Sequence, residues 1–89
     1  MSAQMNYLDG NAAAGELGKI FAIDVTTAEG QCAHCGTKKR FAEAHLYTQC
    51  PGLVARCCVC EHIVLRFANV RRRAFLDLRG MSYLCFDTA

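Results

Sequence analysis

Two Cys-x-x-Cys pairs constrain this chain more than any other feature. Cys32 and Cys35 lie in "QCAHCGT", Cys57 and Cys60 in "RCCVCEH", and the 21 residues 36–56 separate them. A Cys-x-x-Cys turn aims two sulfurs at one point, and tetrahedral Zn²⁺ takes four such ligands at about 2.3 Å. The gap is close to the zinc-site spacing of roughly 15–20 residues. It also suits a hairpin over residues 41–56, one strand out and one back. Gly36 follows Cys35 directly, where a knuckle turn favours a residue that tolerates positive φ. The spacing therefore predicts a four-cysteine Zn²⁺ site made of Cys32, Cys35, Cys57 and Cys60. Four protein ligands leave no open position, which makes the ion structural rather than catalytic.

Size and cysteine usage point the same way. A chain of 89 residues is short for a self-sufficient core, although 53% of its residues are apolar. It carries seven cysteines. The N-terminal "MSAQMNYLDGNAAAG" has no basic n-region and no continuous apolar core, so it does not read as a signal peptide. No apolar run approaches the roughly 18 residues of a membrane span. The expectation is a cytoplasmic protein, in which cysteine pairs are metal ligands or redox pairs more often than disulfides.

The pattern along the chain predicts a small α+β or mostly-β fold. Residues 1–7 read as a disordered N-terminus and residues 8–89 as a single domain. An Ala-rich segment with Leu17, Ile20 and Phe21 at helical spacing predicts a short N-terminal helix over residues 11–22, with Gly15 and Gly18 weakening it. Asp24, Thr26 and Thr27 suggest a capped turn. Ribbon and sheet fill residues 30–86. Alternation predicts antiparallel strands over 41–47, 53–56, 63–67, 74–79 and 81–86, with a turn at Cys50-Pro51-Gly52 and a loop at 68–72.

Other polar residues have less pointed readings. Cys58 is an alternative ligand to Cys57, though Cys58-x-Cys60 is tighter than the usual turn. Its simpler reading is a small side chain outside the turn. Cys50 reads as a loop thiol and Cys85 as a buried apolar residue. His34, His45 and His62 are surface residues or, less simply, substitute ligands. Thiol–disulfide exchange is the competing chemistry, but a redox Cys-x-x-Cys sits at a helix N-terminus, and strand-like sequence flanks both pairs here. Asp77 and Arg79 share a strand face as a surface pair. No catalytic triad, phosphate loop or paired catalytic carboxylate stands out.

Charge is asymmetric. Residues 1–30 hold one basic residue against four acidic, and residues 31–89 hold nine against four. Arg66, Arg71, Arg72, Arg73 and Arg79 are candidate nucleic-acid contacts, with Phe75 and Tyr83 as stacking surfaces.

With the knuckles placed, the chain looks like a rubredoxin-like zinc ribbon. It resembles, more closely, a family of short bacterial proteins of unknown function that carry one such ribbon. The residues that carry the likeness are "LDGNAAAG" at 8–15, "FAIDVTTAEGQCAHCG" at 21–36, "AEAHLY" at 42–47, "PGLVARC" at 51–57, Cys60, "VLRF" at 64–67 and "LDLRG" at 76–80. The resemblance implies metal ligands at Cys32, Cys35, Cys57 and Cys60. Members commonly have proline where this chain has Cys58. The resemblance supplies no activity. The reading is a non-enzymatic zinc ribbon, a protein-interaction or regulatory adaptor, with nucleic-acid binding through the arginines as the alternative. A homodimer is compatible with so short and apolar a chain.

Overall fold

A computed structural model of the chain describes residues 7–18, 24–49 and 52–87. The fold is mostly β. Its strands are β1 (Leu8–Asp9), β2 (Glu29–Cys32), β3 (Lys38–Arg40), β4 (His45–Gln49), β5 (Gly52–Arg56), β6 (Ile63–Val70), β7 (Arg73–Asp77) and β8 (Met81–Cys85). They form two antiparallel sheets, a five-stranded one ordered β1-β4-β5-β6-β7 and a three-stranded one ordered β3-β2-β8.

The five-stranded sheet has one buried face, because its strands alternate. Leu46 opposes Ala55, which opposes Leu65, and Leu53 opposes Phe67. All five are buried, with Leu46, Ala55 and Leu65 at 0% exposure. The N-terminal segment and the turn Phe41–Glu43 complete this core through Ala13, Leu17, Val25, Ala28, Phe41 and Ala44. Leu76, Leu78, Met81 and Leu84 pack at its margin, where the chain crosses from one sheet to the other. Cys32 and Cys57 are themselves buried members of this cluster.

The helix expected over residues 11–22 does not form in the described part. Gly10–Ala13 is a 3-10 turn and Ala14–Leu17 a single α turn. The Asp9 side chain accepts from the Asn11 amide at 3.1 Å and caps the first turn. The segment still covers the core, with Ala13 and Leu17 fully buried. Residues 19–23, including Ile20 and Phe21, lie outside the described residues, as do residues 1–6 of the expected disordered tail. Tyr7, assigned to that tail, stacks on His45 with ring centroids 3.9 Å apart.

Other boundaries shift for local reasons. The expected strand 41–47 begins only at His45, because Phe41–Glu43 turns first, with Glu43 accepting from the Arg40 amide. The expected loop 68–72 shrinks to Arg71-Arg72, since β6 runs on to Val70 and pairs with Arg73. Asp24 caps the turn Val25–Thr27, accepting from Thr26 at both the amide and the hydroxyl. Cys85 is exposed rather than buried, because β8 edges the three-stranded sheet and pairs there only with β2. Cys50, expected as a loop thiol, lies outside the described residues.

Candidate metal centre

Each Cys-x-x-Cys pair sits at the end of a β hairpin, the first beginning on the last residue of β2, and the two turns share the same hydrogen-bond pattern. In the first, between β2 and β3, the Gly36 amide donates to the Cys32 carbonyl and the Cys32 amide to the Thr37 carbonyl, both at 2.9 Å. In the second, between β5 and β6, the Glu61 amide donates to the Cys57 carbonyl at 3.0 Å and the Cys57 amide to the His62 carbonyl at 2.9 Å. The residue after each pair is left-handed, Gly36 at φ +78° and Glu61 at φ +66°. Gly36 meets this need freely. Glu61 takes the strained region, but its carboxylate is engaged, with Oε2 2.5 Å from His45 Nδ1.

The two loops bring four sulfurs together. Cys32 Sγ lies 3.6 Å from Cys60 Sγ, and Cys35 Sγ lies 3.7 Å from Cys57 Sγ. Ligand atoms of Cys32, Cys35, Cys57 and Cys60 all fall within 4.8 Å of one another. A tetrahedron with metal–sulfur bonds of about 2.3 Å has edges of about 3.8 Å. The two measured pairs are close to that edge, and the four thiols are unbonded to each other. Backbone amides point at the sulfurs as well. Cys35 N–H donates to Cys32 Sγ at 3.5 Å and Val59 N–H to Cys57 Sγ at 3.4 Å.

The thiols split in acidity when no cation balances them. Cys35 is lowered to about 6, chiefly because the side chain of Thr37 lies against the sulfur, with the Thr37 backbone amide adding to the effect. Cys60 is pushed up to about 12. The His62 amide works to lower it, but desolvation and hydrogen bonds with Cys32, Cys35 and Cys57 outweigh that. Four crowded sulfurs cannot all ionise without a cation, and a divalent ion removes that obstacle.

Cys58 is not part of the group. It lines a small pocket of about 40 Å³ between the sheets, with Phe41, Ala44, Val64, Met81 and Leu84. It is half-buried beside an apolar space, and burial pushes its thiol pKa up. His45 is tied to Glu61 and stacked on Tyr7. His34 and His62 are exposed, as expected, but their rings stack on one another.

The candidate arginines divide. Register places Tyr47, Val54, Arg66 and Asp77 side by side across the outer face of the five-stranded sheet. With Ala68, Phe75 and Arg79 they line an open groove there. Arg73 alternates with Phe75 and Asp77 and so shares this face. Arg79 forks onto Asp77, with Nη2 2.7 Å and Nε 3.1 Å from the carboxylate. Arg71 and Arg72 form the tip of the β6–β7 hairpin. Tyr83 lies in the other sheet, on β8. Tyr47, which the sequence reading passed over, is the aromatic that lines the groove with Phe75.

Fold and site define a small two-sheet β domain whose paired knuckles form a candidate four-cysteine metal centre. The chain belongs to the family of unknown function DUF6510, which it matches over residues 3–89. No curated protein and no solved structure matches it. Among the described residues no helix is long and apolar enough to cross a membrane.

Proposed function

We propose that the chain is a zinc ribbon that works by binding rather than by catalysis. The observation that carries this is the convergence of Cys32, Cys35, Cys57 and Cys60 from two matched hairpin loops. A soft, tetrahedral four-sulfur set suits Zn²⁺ or iron. Zinc is the reading adopted, because it needs no redox partner. All four positions are filled by protein, so the ion holds the two sheets together and has no site for a substrate.

Elemental analysis of the natively purified protein tests this, together with Cys57→Ser and Cys58→Ser. One zinc per chain, lost in Cys57→Ser and kept in Cys58→Ser, is expected. Iron in its place changes the metal. No metal, with thiols that cycle between oxidised and reduced forms, overturns the ribbon and restores the redox reading.

Two kinds of partner were anticipated, a protein docking on this module as an adaptor and a nucleic acid. The outer face of the five-stranded sheet favours nucleic acid. It carries Arg66 and Arg73 beside Phe75, whose 72% exposure is extreme for so large an apolar side chain. Exposed aromatics between arginines are what single strands use, with bases on the rings and phosphates on the guanidinium groups. Asp77, the acidic residue lining the groove, is already neutralised by Arg79. The module is read as an intracellular one that grips single-stranded nucleic acid on this face. Binding of a labelled oligonucleotide that weakens steeply with salt is expected, and no binding at low salt returns the protein-partner reading to first place.

A further inference from the structure

We infer that the chain has a second, exposed metal position beside the four-sulfur centre, made by His34, His62 and Cys60. The inference rests on the four-sulfur reading in one respect, since that centre is what ties the two loops together. His34 stands inside the first knuckle and His62 just after the second. Their rings nevertheless meet, with centroids 3.4 Å apart and planes inclined by 15°. A ring nitrogen of each and the sulfur of Cys60 lie within 4.8 Å of one another. Both imidazoles are exposed, and Cys60 is partly so.

The chemistry of this trio differs from that of the closed site. Four thiolates around one divalent cation keep a net charge of −2, which attracts a further cation nearby. Cys60 is a partly exposed sulfur of that set, and a thiolate bound to one metal retains lone pairs for another. Imidazole and thiolate together suit borderline divalent transition metals, such as Zn²⁺, Co²⁺ and Ni²⁺. A hard cation such as Mg²⁺ prefers oxygen and is not held. Stacked rings direct their lone pairs along parallel planes, so coordination requires each ring to turn about its Cβ–Cγ bond. Exposure leaves both free to do so. The trio supplies three ligands of a tetrahedron, and the fourth position stays open to water or to a donor from outside. That open position is what the closed centre lacks.

The test uses the full chain given one equivalent of zinc, which the four-sulfur centre takes ahead of the exposed trio, its zinc content measured first. Absence of that first ion would refute the four-sulfur reading before the second site is examined. Co²⁺ is then added and followed by its visible absorption and thiolate charge-transfer band, and metals are counted again after desalting. The expected result is retention of the zinc and uptake of one Co²⁺ per chain. His34→Ala/His62→Ala should keep the zinc and lose the cobalt, since both side chains lie at the surface. Cobalt that displaces zinc, no second ion in the wild type, or equal uptake by the double variant overturns the proposal.

Discussion

The two-residue tip of the β6–β7 hairpin should be less stable than it needs to be, and replacing it should raise stability while lowering nucleic-acid binding. Val70 pairs with Arg73, so Arg71 and Arg72 are the whole loop. Both are left-handed, at φ +53° and φ +68°. That is the backbone of a type I′ turn, which Asn-Gly fits best. The left-handed region costs an ordinary L-residue roughly 1–2 kcal/mol. Gly at position 72 removes that strain but loses about 0.5–1 kcal/mol through its freer unfolded chain. Asn at position 71 relieves part of the remainder. The net gain for Arg71→Asn/Arg72→Gly is about 1 kcal/mol, or about 4–8 °C in Tm for a domain of this size.

The same variant removes two positive charges. If both arginines contact phosphate, the log–log salt slope for a single strand shrinks by about 1.4. The assays are thermal unfolding at saturating zinc, which holds metal linkage constant, and fluorescence anisotropy with a labelled oligonucleotide at several salt concentrations. Arg71→Lys/Arg72→Lys keeps both strain and charge, so it should change neither the Tm nor the salt slope by much. A fall in Tm for Asn-Gly refutes the strain argument. A rise in Tm with an unchanged salt slope refutes the tip as a phosphate contact.

Leu46→Ala, at a fully buried site on the inner face of the main sheet, should cost about 2–5 kcal/mol, read as a lower urea midpoint at constant m-value. Dialysis against EDTA should abolish the folded circular-dichroism spectrum, because zinc binding at such sites supplies on the order of 10 kcal/mol; an unchanged spectrum after confirmed metal loss refutes a structural role. Asp77 should titrate by NMR at about 2, held down by the Arg79 side chain first and the Arg79 backbone amide second. Its folded pKa lies below the ordinary value of about 3.9, so the stabilisation it gives is present above that pH and is lost as pH falls through the folded value. Arg79→Ala should raise the Asp77 pKa only partway, since the amide remains; no shift would refute the fork.

What could be read from the chain depended on whether a feature is encoded locally. The meeting of the four knuckle cysteines was legible because Cys-x-x-Cys fixes its own turn. The later strands were legible because Leu53 and Ala55, and Leu65 and Phe67, recur with period two on the buried face of the main sheet. β2 and β3 were not. Lys38, Lys39 and Arg40 are all exposed and carry no apolar signal, so this strand exists through its pairing with Glu29, Gly30 and Gln31. The N-terminal helix failed from the opposite cause. Alanine propensity is worth a few tenths of a kcal/mol per residue, which Gly15 and Gly18, each costing about 1 kcal/mol in a helix, and packing against the Phe41 turn override. Glu61 was missed although the signal was there: laying "CCVCEH" on "CAHCGT" puts it where Gly36 stands. A loop at the arginines was expected, but its two-residue length was hidden for a more telling reason. A hairpin is recognised from sequence by Asn-Gly or a similar pair, and Arg71-Arg72 is among the poorer choices for that backbone. Strain of this kind persists where the surrounding structure over-determines it and the side chains serve some other end. Two adjacent arginines at the end of a face that already carries Arg66, Arg73 and Phe75 extend that face outward. On this reading, the feature that concealed the turn is also the one that points to its use.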